Sequence, residues 1–207
     1  MRRLGIVPSR TLRQHFLALA RRTRESLVVS DGPAKIGVTS LKRGAGRSTV
    51  AFNLAAALTR IAPEPVLLVE SDFGRHFVAR RLGVAGSLGL SDIICGEADP
   101  TRCIIDSPNE KFSVMPCGRV SDQDSLELPF ERMEHIFSSN FERFGFLIFD
   151  LPVANNLSAC HSIVPHLDAV ILTVDANSID REQLERTKQR FADCGTELLG
   201  VVVNRKD

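Results

Sequence analysis

The chain has 207 residues, a net charge of +1 and 43% apolar residues. That length suits one domain with a sizeable core, and the near-neutral charge supplies no global field to recruit nucleic acid. No apolar run nears the length of a membrane-spanning helix.

In chain order, residues 9–27 read as a helix, with Leu12, Phe16 and Leu19 on one face and arginines over much of the rest. Residues 1–24 hold seven arginines and no acid. Ser30-Asp31-Gly32-Pro33 then breaks the chain. Five near-continuous apolar runs follow, at 36–39, 66–69, 146–149, 169–174 and 201–203. Such runs suit strands buried on both faces of a parallel sheet. Helical patterns lie between them at 48–61, 76–82, 125–141 and 179–193, and residues 102–116 add a short strand or two. The alternation predicts a doubly wound α/β fold with a mainly parallel sheet flanked by helices. We read 1–207 as a single domain, with 1–30 an arginine-rich helical extension. That extension suits a docked helix, a dimer contact or a contact with acidic lipid or a partner.

Residues 36–49 carry the strongest chemical signal. A short strand runs into Leu41-Lys42-Arg43-Gly44-Ala45-Gly46-Arg47-Ser48-Thr49, and an apolar helix follows. Phosphates need close approach to backbone N–H groups, and Gly44 and Gly46 remove the side chains that would block it. The helix that starts near Arg47 points its positive end at the same spot. Ser48 is placed to offer a hydroxyl to Mg²⁺; the usual form of this loop ends Gly-Lys-Ser/Thr. Two further strands end in acids: Val66–Val69 delivers Glu70-Ser71-Asp72, and Phe146–Phe149 delivers Asp150. Ligands of open parallel sheets sit beyond the carboxyl ends of the strands, so Asp72 and Asp150 are expected to face the loop and order Mg²⁺ or its waters.

Several segments match one pattern in order. Thr39–Thr49 is similar to Thr-Ser-x-x-Pro-Gly-Glu-Gly-Lys-Ser-Thr, and Glu70–His76 to Asp-Ala-Asp-Leu-Arg-Arg-Pro. Leu88–Glu97 is similar to a Gly-Leu-Ser-Asp segment, Phe112–Gly118 to a Leu-x-Val-Leu-Pro-x-Gly strand, and Leu199–Asn204 to Gly-Val-Val-x-Asn. Across nearly its whole length the chain resembles the bacterial tyrosine autokinases of exopolysaccharide and capsule synthesis, relatives of the MinD/ParA partition ATPases. The resemblance implies a MinD/ParA-like P-loop NTPase fold that binds ATP or ADP with Mg²⁺. It implies a cytoplasmic protein held at the inner membrane through a partner, a membrane chain-length regulator of polysaccharide export, and a homo-oligomer. By the same resemblance, residues Lys42 to Thr49 and Asn204 hold nucleotide, with Asn204 near the adenine. Ser48, Asp72 and Asp150 serve the metal, and Glu70, Asp72 and Arg47 stand at catalytic positions.

The departures are equally informative. Arg47 replaces the family's phosphate-contacting lysine, and arginine is longer, planar and forked. Glu70 replaces an aspartate; its extra methylene displaces the carboxylate, and misplacement of that size slows chemistry. Leu151 follows Asp150 where the family has a hydroxyl residue. Arg10 and Arg13 match the arginines of a Glu-x-x-Arg-x-x-Arg oligomerisation motif, but Val7 stands at the glutamate. The family phosphorylates tyrosines in a C-terminal tail, and these 207 residues contain none. Lys42 aligns with a second lysine that partition ATPases extend across a dimer interface; it is also simply a solvated loop lysine. Three functions therefore compete: a kinase-like nucleotide binder with weakened chemistry and a regulatory role, a MinD/ParA-type switch that dimerises through Lys42, and a structural protein that has lost nucleotide. The five cysteines and the histidines His15, His76, His135, His161 and His166 show no metal spacing, and the cysteines read as reduced thiols of a cytoplasmic protein.

Overall fold

The computed structural model describes residues 9–27, 32–108, 111–119, 128–139, 141–154, 160, 162–177 and 179–205. Val7, His161 and the outer parts of the predicted 125–141 helix and of the 1–30 extension lie outside them.

Seven strands form one sheet: β1 (Ala34–Ser40), β2 (Val66–Glu70), β3 (Ile105–Asp106), β4 (Phe112–Met115), β5 (Phe146–Asp150), β6 (Ala169–Asp175) and β7 (Glu197–Asn204). Their order is β3-β4-β2-β5-β1-β6-β7. All pair in parallel except β3, which runs antiparallel to β4. The central strands are buried on both faces because alternate residues feed different cores. On β2, Leu67 and Val69 enter one cluster, and Val66 and Leu68 the other.

Among the described residues, helices cover both faces. α1 (Arg10–Ser26), α2 (Arg47–Leu58) and α3 (Phe77–Leu82) lie on one side; α4 (Leu90–Cys95), α5 (Met133–Ser139) and α6 (Arg181–Asp193) lie on the other. α2 is apolar nearly all round because it is sandwiched between the sheet and α1. Ser9 caps α1, its hydroxyl accepting from Leu12 N–H at 3.2 Å. Phe16, Leu17, Leu19 and Ala20 dock on α2's side of the core, and Arg24 donates to the Ile61 carbonyl at 2.9 Å. Leu12, expected on that face, is instead 40% exposed; the docking stripe starts one turn later.

The helix predicted at 125–141 is shorter. A 3₁₀ turn at Phe130–Arg132 leads into α5, because Pro129 ahead of the turn has no N–H for a helical bond. α4 was not foreseen. It starts at Gly89, whose N–H donates to the Asp92 carboxylate at 2.9 Å. Leu90 and Ser91 N–H groups donate to the carbonyls of Pro116 and Cys117, each at 2.9 Å, which fixes the end of β4. A Cβ at Gly89 would stand 2.1 Å from the Pro116 oxygen and 2.4 Å from the Gly118 nitrogen. Both obstacles are backbone and cannot rotate away. Gly89→Ala should therefore cost about 1–3 kcal/mol, read as a lower denaturant midpoint at unchanged slope.

Candidate nucleotide site

β1, β2 and β5 end side by side. The loop after β1 turns at Gly44 (φ 84°) and Gly46 (φ 92°), left-handed conformations that favour glycine. Gly46 has no side chain to cap α2, so the first-turn N–H groups face the loop without a side-chain acceptor. Two bonds pin the loop: Ser40 Oγ donates to the Lys42 carbonyl at 2.9 Å, and Asn204 Nδ2 donates to the Ala45 carbonyl at 2.9 Å. The Asn204 amide also fills the space a Cβ at Gly46 would need. Asn204 thus braces the phosphate loop.

Arg47 is the centre of the arrangement. Only 6% exposed, it turns toward the ends of β2 and β5. Its Nη2 donates to Asp72 Oδ2, and its Nε lies 3.9 Å from Asp150 Oδ1. Burial lowers the guanidinium's affinity for its proton, and Asp150 opposes that. Arg43 and Arg75, both exposed, lie close enough to weigh on the same charge. Asp150 is fully buried, and neither of its oxygens has a hydrogen-bond partner among the described residues. Burial pushes its carboxyl up to about 7; the neighbouring Ser48 hydroxyl and Arg47 offset this only in part. A buried carboxylate without full compensation takes up a proton instead.

The expected residues separate into three groups. Arg47, Asp72 and Asp150 meet, with Ser48 beside Asp150. Lys42, Arg43, Gly44, Ala45 and Gly46 form the loop, where Lys42 is exposed; Thr49 sits in the first turn of α2. Glu70 goes elsewhere. It is the register partner of Asp150, yet its Oε1 accepts the Val78 N–H at 2.6 Å and its Oε2 the Ala79 N–H at 3.3 Å. Burial raises its pKa, and those two N–H groups offset the rise only in part. It serves the start of α3. Leu151 is also turned away: it packs in the core of the opposite face, against Gly37. Its difference from a hydroxyl residue is one of packing. Arg75 is the residue the sequence reading left out of the site, although the Asp-Ala-Asp-Leu-Arg-Arg-Pro pattern places an arginine there.

No family model matches the chain. Curated proteins do. It is 26% identical to the tyrosine-protein kinase CpsD of Streptococcus agalactiae, over 99% of this chain and 90% of that one. The kinase domain of the Escherichia coli tyrosine kinase ETK superposes with a TM-score of 0.79 at 20% identity, over 91% of this chain and 75% of that one. The chain is a divergent relative of the bacterial tyrosine-protein kinases. Their fold is shared more widely: the septum site-determining protein MinD from Pyrococcus horikoshii, solved with Mg-ADP, matches 83% of this chain and 70% of its own at a TM-score of 0.69 and 22% identity. The sheet and helices accordingly have the arrangement of the MinD-like P-loop fold. In this chain the loop turns on two left-handed glycines, and its buried cation, Arg47, faces Asp72 and Asp150. No helix among the described residues is long and apolar enough to cross a membrane.

Proposed function

We propose that this chain is an adenine-nucleotide-binding, kinase-like subunit whose turnover is slow or lost and whose role is regulatory. The observation that carries the reading is the pairing of Arg47 with Asp72 beside Asp150. Oxygens of Asp72, Asp150 and Ser48 form a donor set of the hard type that Mg²⁺ takes. The guanidinium already neutralises part of it. Mg²⁺ can enter only if Arg47 leaves, and its departure uncovers two buried carboxylates. The open first turn of α2, with Arg43 and Arg75 around it, still suits the phosphates of ATP or ADP. Mg²⁺, when bound, would supply charge neutralisation between β- and γ-phosphates, and Ser48, Asp72 and Asp150 would hold it. The partner proposed is a membrane chain-length regulator of polysaccharide export. It would keep a cytoplasmic protein at the inner membrane, where further copies can join it.

Titration calorimetry with ATP, with and without Mg²⁺, tests this reading. Binding that Mg²⁺ changes less than about threefold, an energy well under 1 kcal/mol, with no phosphate release, is the expected result. Brisk Mg²⁺-dependent hydrolysis sinks it. One observation favours a second reading: Lys42 is exposed on the loop and can reach a second copy. A partition-type switch predicts ATP-dependent dimers that Lys42→Ala abolishes. A melting temperature unmoved by ATP or ADP would leave only a structural role.

A further inference from the structure

Outside the phosphate loop, a second group of side chains converges at the same edge of the sheet. Glu70 ends β2, His76 precedes α3, and Cys117 follows β4, the strand next to β2. One carboxylate oxygen, one ring nitrogen and the thiol sulfur all lie within 4.8 Å of one another. Cys117 Sγ stands 2.7 Å from His76 Nδ1. Glu70 and Cys117 are fully buried, and His76 is half-buried.

We infer that Glu70, His76 and Cys117 form a binding site for a zinc-type divalent cation. The donor set decides the class. A thiolate, an imidazole and a carboxylate together suit Zn²⁺, a borderline ion, and exclude Mg²⁺, which wants oxygens alone. Around tetrahedral zinc, with bonds of roughly 2.0–2.3 Å, neighbouring ligand atoms sit about 3.5 Å apart. The Sγ–Nδ1 separation is shorter than that and no pair is more than 4.8 Å apart, so shifts of roughly 1 Å complete the site. Three protein ligands leave a fourth position, and His76 lies at the partly exposed side of the cluster, where water can enter.

The ligands are also held. The Cys117 carbonyl accepts from Ser91 N–H, and Glu70 is anchored by the first N–H groups of α3. His76 has φ 47°, the one non-glycine residue with positive φ among the described residues; this strained conformation aims the ring at Cys117. Two of the three residues, Glu70 and His76, stand where the chain departs from Asp-Ala-Asp-Leu-Arg-Arg-Pro. Ion binding replaces the thiol proton, which passes to solvent. Bound metal ties the segment carrying Asp72 and Arg75 to the end of β4, and so stiffens one wall of the phosphate site.

Cobalt titration of the full chain, without nucleotide, tests the site independently of the phosphate loop. The expected result is one equivalent bound, with a thiolate-to-cobalt charge-transfer band in the near ultraviolet that Zn²⁺ removes and equal Mg²⁺ does not. Cys117→Ser should abolish the band, and Cys95→Ser, at an exposed thiol outside the cluster, should keep it. His76→Asn, at the half-buried ligand, should weaken binding at least tenfold and guards against a folding defect in the cysteine variant. A wild-type chain without the thiolate band, a band that survives Cys117→Ser, or unchanged affinity in folded His76→Asn overturns the site.

Discussion

Arg47→Ala is expected to lower the free energy of unfolding by about 3–5 kcal/mol, because removing one partner of a buried ion pair strands the other. Asp72 is 8% exposed and Asp150 fully buried, so neither can recover its solvation by turning to water. The pair need not add much stability as a pair, since burying three ionisable groups is itself unfavourable. The loss comes from breaking it. Mg²⁺ should then restore part of the stability of Arg47→Ala while leaving the wild type nearly unchanged, since the vacated carboxylates become available to the ion. Arg47→Lys should lose less, because a cation remains. Its compact ammonium cannot fork between Asp72 and Asp150, so it should also make nucleotide binding depend on Mg²⁺. Urea denaturation at pH 8, with and without millimolar Mg²⁺, measures all three proteins. A loss below about 1 kcal/mol in Arg47→Ala, the range of a surface pair, would falsify the central role given to this contact.

Much of the architecture could be read from the chain because its signals are local. Val66–Val69 and Phe146–Phe149 are unbroken apolar runs, and they became β2 and β5 at the centre of the sheet. The apolar run of β7 marked only 201–203, and the motif match extended it to Leu199–Asn204. This strand is the sheet's edge, its burial alternates, and Glu197 at its start is exposed. α4 is six residues long, too short for a helical period to show. The phosphate loop was legible for the same local reason: Gly44 and Gly46 announce their own backbone. The destinations of the side chains were not. Arg47 was expected at a phosphate, but its partner Asp72 lies 25 residues away and on another strand end. Glu70 was expected beside it, yet the open N–H groups of α3 hold its carboxylate. Such choices are settled only when three strand ends and the loop are brought together.

The second large effect concerns the acid that Arg47 only partly satisfies. In the unfolded chain Asp150 titrates near 3.8; in the fold, burial raises it to about 7. Between those values the native state keeps a proton that the unfolded state has released, so its stability falls as pH rises from about 4 to about 7. The contribution is fully present below pH 4 and gone above pH 7. It amounts to something on the order of 4 kcal/mol. Glu70 is also raised and slopes the same way, so the wild-type curve alone does not isolate Asp150; the difference from Asp150→Asn does. Asparagine carries no charge at any pH and mimics the protonated acid in shape. Denaturant midpoints from pH 4 to 8 should show the two proteins similar at pH 4 and the variant more stable at pH 8. Parallel curves would mean that Asp150 stays ionised throughout. The same proton reports on the nucleotide site. A cation brought to Asp150 favours its charged form, so Mg-ATP binding to Arg47→Lys at pH 7, where the carboxyl is about half protonated, should release up to about half a proton, visible as a dependence of the binding heat on the buffer's ionisation enthalpy. In the wild type, with the guanidinium still in place, that dependence should be absent.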